Sequence, residues 1–172
     1  QQRLPGLLLL GAPPVTWGAL PAQLRDFGYT VLVVDLDETA TTEDFSAVMA
    51  AFSEDEHINP GAMAAIGVEG GADLTLLGCA VENLCDAAVL ISPGSRDTLL
   101  NVLPNYDPRP LIVFASLGDV DAYETALALQ ENAQGSFSLQ GFDGDRNGLA
   151  LIDSETTLAE IIRQWLQRFL VI

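Results

Sequence analysis

Three glycines and one carboxylate raise the first chemical question in this chain. Gly67, Glu69 and Gly71 stand at the spacing G-x-E-x-G within the run from Ala62 to Cys79, with Gly70 beside the central residue. An apolar strand is expected over Ala62 to Val68 and a helix over Ala72 to Asn83. Flanking glycines let a strand turn into a helix so tightly that the central side chain stands above the sheet, which is the outline of a nucleophile elbow. The side chain at that point is Glu69. A carboxylate can serve as nucleophile or base, but the intermediate formed by its attack needs an activated water for release. The other reading is structural: Glu69 hydrogen-bonds to the amides of the turn and the helix N-terminus, where negative charge is favoured.

A second constellation is D-G-D-R-N-G, in which Asp143, Asp145 and Asn147 alternate before Gly148. This is the first half of a calcium loop, where alternate oxygens face one cation and a glycine makes the sharp turn. Position twelve holds Ser154, with Asp153 and Glu155 on either side, where a bidentate Glu would complete the set. Calcium is therefore the one cofactor these residues suggest, and nothing requires any. An ordinary solvated turn recruits the same residue types. The single His, His57, lies in a polar connection and reads as a surface residue. Cys79 and Cys85 could form a disulfide or remain two buried thiols, and two Cys without a nearby His make no zinc site.

These residues need elements to position them. Apolar runs at Leu7–Leu10, Thr30–Val34, Ala62–Val68, Ala87–Ile91 and Leu111–Ala115, with the alternating Ser136–Leu139, read as strands. Helical spacing recurs at Trp17, Leu20, Leu24 and Phe27, and helices are also expected at Phe45–Phe52, Asp121–Asn132 and Thr157–Leu170. Pro104, Pro108 and Pro110 mark a long connection from Ser95 to Pro108. Strand and helix alternate along the chain. That alternation predicts a three-layer α/β/α arrangement with a mostly parallel sheet of about six strands, because parallel neighbours need a crossover of helical length. Asp35, Asp37, Glu69, Asp119, Asp121, Asp143 and Asp145 would then gather at one sheet edge. In the last helix Leu158, Ile161, Ile162, Trp165, Leu166, Phe169 and Leu170 form an apolar stripe that should cover the sheet.

The chain has 172 residues, 49% of them apolar, which suits a single domain over 1–172. Seven basic residues, all Arg, face 24 acidic ones, a formal charge of −17. Such a field repels a polyphosphate backbone, so nucleic acid is a poor partner, while a small ligand, a cation or a basic protein face is a better one. No apolar run is long enough to span a membrane. The first residue is Gln1 rather than Met, as in a chain whose export segment has been removed, and the compartment stays open.

Taken together, LLLLGAPP (7–14), GYTVLVVDLD (28–37), GVEGG (67–71), AVLISPG (88–94), RPLIVFASLGD (109–119) and IIRQWLQRFL (161–170) resemble the α/β-hydrolases, and among them the dienelactone hydrolases. The antiparallel strands that usually open that family's sheet are absent, so the resemblance is to a minimal version. It implies a triad with the Ser position on Glu69, the acid on Asp119 or Asp121, and the His on Asn147. It also implies oxyanion-type backbone groups at Gly11 and Gly70. Ser and His are both replaced. The resemblance thus predicts a catalytically silent domain with a binding or structural role. The competing expectations are an unorthodox ester or lactone hydrolase working through Glu69, and a calcium-binding domain.

Overall fold

An apolar run without polar alternation can be buried on both faces, and that is where these runs lie. In the computed structural model, which describes residues 2–170, the strands are β1 (Leu4–Leu10), β2 (Thr30–Val34), β3 (Ile58–Val68), β4 (Ala87–Ile91), β5 (Leu111–Ser116) and β6 (Phe137–Phe142). They form one six-stranded sheet in the order β2-β1-β3-β4-β5-β6, with every pairing parallel. The helices are α1 (Leu20–Asp26), α2 (Thr42–Ser53), α3 (Gly70–Val81), α4 (Arg96–Tyr106), α5 (Val120–Asn132), α6 (Gly148–Ser154) and α7 (Leu158–Phe169).

Alternate residues of β1 divide between two cores. Leu7 and Leu9 join Trp17, Leu24, Leu151, Ile162 and Trp165 under α1, α6 and α7. Leu8 and Leu10 join Phe45, Met49, Leu76, Leu99 and Leu129 under α2 to α5. The three layers follow from this period-two split of apolar side chains across a covered sheet. Connections run from β1 outward to β2 and then back past β1 to β3. The carboxyl ends of β1 and β3 therefore flank the point where strand order reverses, the usual place for a ligand crevice in an open α/β sheet.

Several boundaries differ from the sequence reading. The stretch expected as a long connection, Ser95 to Pro108, is mostly helix α4. Leu99, Leu103 and Tyr106 bury one face at helical spacing, and Pro104 falls in the last turn, where a missing N–H costs one bond rather than the helix. Helix α6 was not anticipated; it is short, and only Gly148 and Leu151 in it are buried. β3 begins at Ile58 rather than Ala62, pairing Leu4 with Ile58 before a bulge at Pro5/Gly6 restores register. Helix α3 begins at Gly70, two residues before its expected start, and ends at Val81.

Cys79 and Cys85 form a disulfide with Cα atoms 5.4 Å apart, joining the end of α3 to the turn before β4. Arg109 braces the same corner. Its Nη1 donates to the carbonyls of Glu82 (3.0 Å) and Cys85 (2.8 Å), its Nε to that of Tyr106 (3.0 Å), and its guanidinium lies 4.6 Å from the centre of the Tyr106 ring. His57 is exposed, as expected, and its ring Nδ1 lies 2.9 Å from an oxygen of Asp55. Among the described residues no helix is long and apolar enough to cross a membrane.

Candidate functional site

At the end of β3 the chain turns directly from strand into helix. Glu69 alone joins the strand to α3, at φ 55° and ψ −122°, a sparsely populated positive-φ backbone that costs a side-chain-bearing residue about 1–3 kcal/mol. Its N–H donates to the Ile91 carbonyl at 2.8 Å, and its own carbonyl accepts from Ala72 at 2.9 Å and Asp73 at 3.3 Å. The turn is possible because α3 sits hard against the loop after β1. A Cβ on Gly71 would lie 2.6 Å from both the Gly11 nitrogen and the Leu10 oxygen, so backbone meets backbone there. Gly11 thus supports the elbow from behind.

The Glu69 side chain caps none of the α3 amides. The expected structural role, a carboxylate bonded to the turn and helix N-terminus, is not what the side chain does. It lies instead against Gly148, in the space a Cβ there would fill, 2.5 Å from Cδ and 2.7 Å from Cγ of Glu69. Gly148 is buried with φ +54°, and its N–H donates to the hydroxyl of Ser92 at 2.8 Å. Ser92 follows β4 at φ 56° and is 6% exposed. Glu69 and Ser92 are the two non-glycine residues with positive φ among the described residues, and both adjoin Gly148. The Ser116 hydroxyl, at the end of β5, donates to the Arg146 carbonyl. Two buried serines on neighbouring strands therefore hold the loop on either side of Asn147.

These residues surround an open depression of about 310 Å³, lined by Glu69, Gly70, Asp73, Ser92, Asp119, Asp121 and Asn147 together with Pro93, Gly94 and Ala122. Of the residues singled out in the sequence, Glu69, Gly70, Asp119, Asp121 and Asn147 meet here. Asp35, Asp37, Asp143 and Asp145 do not line it. Asp119 caps α5, accepting from the Ala122 N–H at 3.5 Å, and Asn147 stands at the N-cap of α6. Asp143 and Asp145 are exposed, and among the described residues no three His, Cys, Asp or Glu side chains cluster so as to hold a metal ion. Gly70 lies beneath Glu38, whose Cδ is 2.7 Å from where its Cβ would stand.

Asp73 and Ser92 were missed. Asp73 accepts from Gly94 N (3.1 Å), Ser95 N (3.2 Å) and Ser95 Oγ (2.9 Å), which fixes the loop after β4. Burial, with Glu38 adding like charge, pushes its carboxyl above the ordinary range despite these bonds. In the sequence Ser92-Pro93-Gly94 reads only as the end of a strand. The usable signal is positional, since a residue directly after a parallel strand stands on the functional edge.

The fold has counterparts among solved structures. The alpha/beta hydrolase GrgF from Penicillium superposes on the chain with a TM-score of 0.83 at 15% identity, covering 100% of this chain and 92% of that one. The fold is that of the α/β-hydrolases. A dienelactone hydrolase from Anabaena variabilis (TM-score 0.81, 14% identity, 98% and 88% coverage) has the same α/β-hydrolase architecture. So does the esterase domain of a Rhodothermus marinus protein (0.81, 16%, 99% and 90%). No family model and no curated protein matches the sequence.

Proposed function

We propose that the chain is a hydrolytically silent α/β-hydrolase-fold domain whose strand-end depression binds a small cationic ligand. The observation that carries this reading is the apex of the elbow. Its strained backbone is retained, yet it presents the uncapped carboxylate of Glu69 toward Gly148, beside Asn147. Ester hydrolysis by carboxylate attack needs a base to activate water, and an Asn side chain offers none at neutral pH. Asp119 is engaged as a helix cap. His57 precedes β3, at the opposite end of that strand from Glu69. Eleven residues of strand separate them, roughly 35 Å at about 3.3 Å per residue.

Charge selects the ligand class. Four carboxylates, those of Glu69, Asp73, Asp119 and Asp121, line the depression without any Arg. An organic ammonium small enough for this space would be drawn to them. The same strain at Glu69 also supports a second reading, Glu69-dependent hydrolysis, because strained backbone persists chiefly at working sites.

The test is a thermal melt of the intact chain with choline, putrescine and arginine methyl ester. At a hundredfold excess over Kd a ligand bound only by the folded state adds about 2.7 kcal/mol, or roughly 5–10 °C for a chain of this size. The expected result is such a rise with at least one amine, lost in Glu69→Gln. No rise with any of them, or an equal rise in Glu69→Gln, overturns the reading.

A further inference from the structure

A buried hydroxyl has one proton to give and two lone pairs to offer, and each unmet capacity asks for a partner. Among the described residues four serines and threonines are buried: Thr75, Ser92, Ser116 and Thr125. Three of them give their protons to main-chain carbonyls, Thr75 to Gly71 (2.7 Å), Thr125 to Asp121 (2.7 Å) and Ser116 to Arg146. Ser92 is the exception. Its oxygen accepts from the Gly148 N–H at 2.8 Å, which uses one lone pair and leaves the proton without an acceptor among the described residues.

The place of this proton matters. Ser92 is 6% exposed and lines the depression that Glu69 and Asn147 also line, so the part of it left open borders that space. Its backbone is held at φ 56°. Glycine takes such a conformation without penalty, so what a serine adds here is its side chain. Positive-φ residues that carry side chains are concentrated at ligand clamps and working sites. The Glu69 carboxylate does not take the proton either, since it lies against Gly148 and bonds to no serine.

We infer that Ser92 reads an oxygen on the ligand, which is therefore an ammonium bearing an ether, hydroxyl or carbonyl oxygen rather than a plain amine. This rests on the cationic ligand proposed for the depression. The carboxylates hold the charge, and the Ser92 O–H donates to the ligand oxygen in place of solvent. An all-carbon cation of the same length displaces that solvent and offers nothing in return, so it binds less tightly.

The probes are methoxyethyl- and methoxypropyl-trimethylammonium, titrated calorimetrically into the intact chain beside their all-carbon counterparts, butyl- and pentyl-trimethylammonium. An ether oxygen only accepts, so a preference for it reports a donor. At least one ether is expected to bind about fivefold or more tighter than its counterpart. Glu69→Gln should weaken both members of a pair alike, whereas Ser92→Ala should bring them within about twofold of each other. A loss of structure would weaken both and leave their ratio. Ser92→Gly, suited to the positive φ, should act as Ser92→Ala does and serves if the alanine chain does not fold. Equal affinities for ether and hydrocarbon in the parent chain, at both lengths, overturn this inference and leave the cationic reading standing. If none of the four binds, both fall. A preference for the ether that survives the Ser92 substitutions assigns the oxygen to another donor and overturns the role of Ser92.

Discussion

Gly71→Ala is the substitution whose cost follows most directly from the elbow's construction. The added Cβ would lie 2.6 Å from the Gly11 nitrogen and the Leu10 oxygen, with the Gly11 Cα closer still. When only side chains must give way, overpacking costs about 1–3 kcal/mol. Here the obstacle is main chain on the far side, so α3 and the loop after β1 must part, and the cost exceeds that range, at about 3–4 kcal/mol. Alanine recovers about 1 kcal/mol as a better helix former than glycine. The net loss is then about 2–3 kcal/mol, a fall in melting temperature of roughly 4–12 °C for a chain of this length. Two companions calibrate it in the same circular-dichroism melt. Gly94→Ala adds a Cβ to open space and should change nothing measurable. Gly148→Ala, at φ +54°, should lose about 1–2 kcal/mol for its backbone while displacing the Glu69 side chain from Cγ outward and no main chain. A Gly71→Ala chain that melts within a degree of the parent would refute the close approach of Gly11 and Gly71 on which the elbow depends.

Arg109→Lys should lower stability by about 1–2 kcal/mol, read in a urea titration, because an ammonium cannot reproduce a planar fork that bonds the carbonyls of Glu82, Cys85 and Tyr106 and stacks on the Tyr106 ring. Two half-buried carboxyls contribute stability that should fall as pH rises. Asp73 and Asp86 have folded pKa values raised by burial above the ordinary 3.8, so the fold favours their protonated forms. That contribution is complete below the unfolded pKa and lost as pH climbs through the folded one, so Asp73→Asn should flatten the decline that begins above about pH 4. Calcium against excess chelator should leave the melting temperature unmoved, since Asp143 and Asp145 are exposed and Asn147 lines the depression with Glu69. A rise lost in Asp145→Ala would make the loop a metal site instead.

Much of the architecture was legible because two physical signals agree along the chain. Unbroken apolar runs such as Leu7–Leu10 have no face to give to water, and the helical stripes between them must cover what the runs expose. The elbow was legible from Gly67, Glu69 and Gly71, since side chains at the two glycines would meet main chain across so abrupt a turn. Helix α4 was hidden by three prolines, although Leu99, Leu103 and Tyr106 carried its period; Pro104 is harmless late in a helix and misleading in a sequence. The orientation of Glu69 was not readable, because it depends on Gly148, 79 positions later, leaving room for its side chain. Ser92 was missed for a similar reason. Its partner is the Gly148 amide, and only the folded sheet brings the two within 2.8 Å.

Turnover of a panel of activated esters, thioesters and lactones by the purified chain beside Glu69→Gln is the most direct test of the claim that the elbow no longer catalyses hydrolysis. The account predicts rates at the buffer background for both proteins at neutral pH. Turnover by the parent chain that disappears in Glu69→Gln, with the melting temperature of the two alike, would contradict it and make Glu69 a catalytic residue.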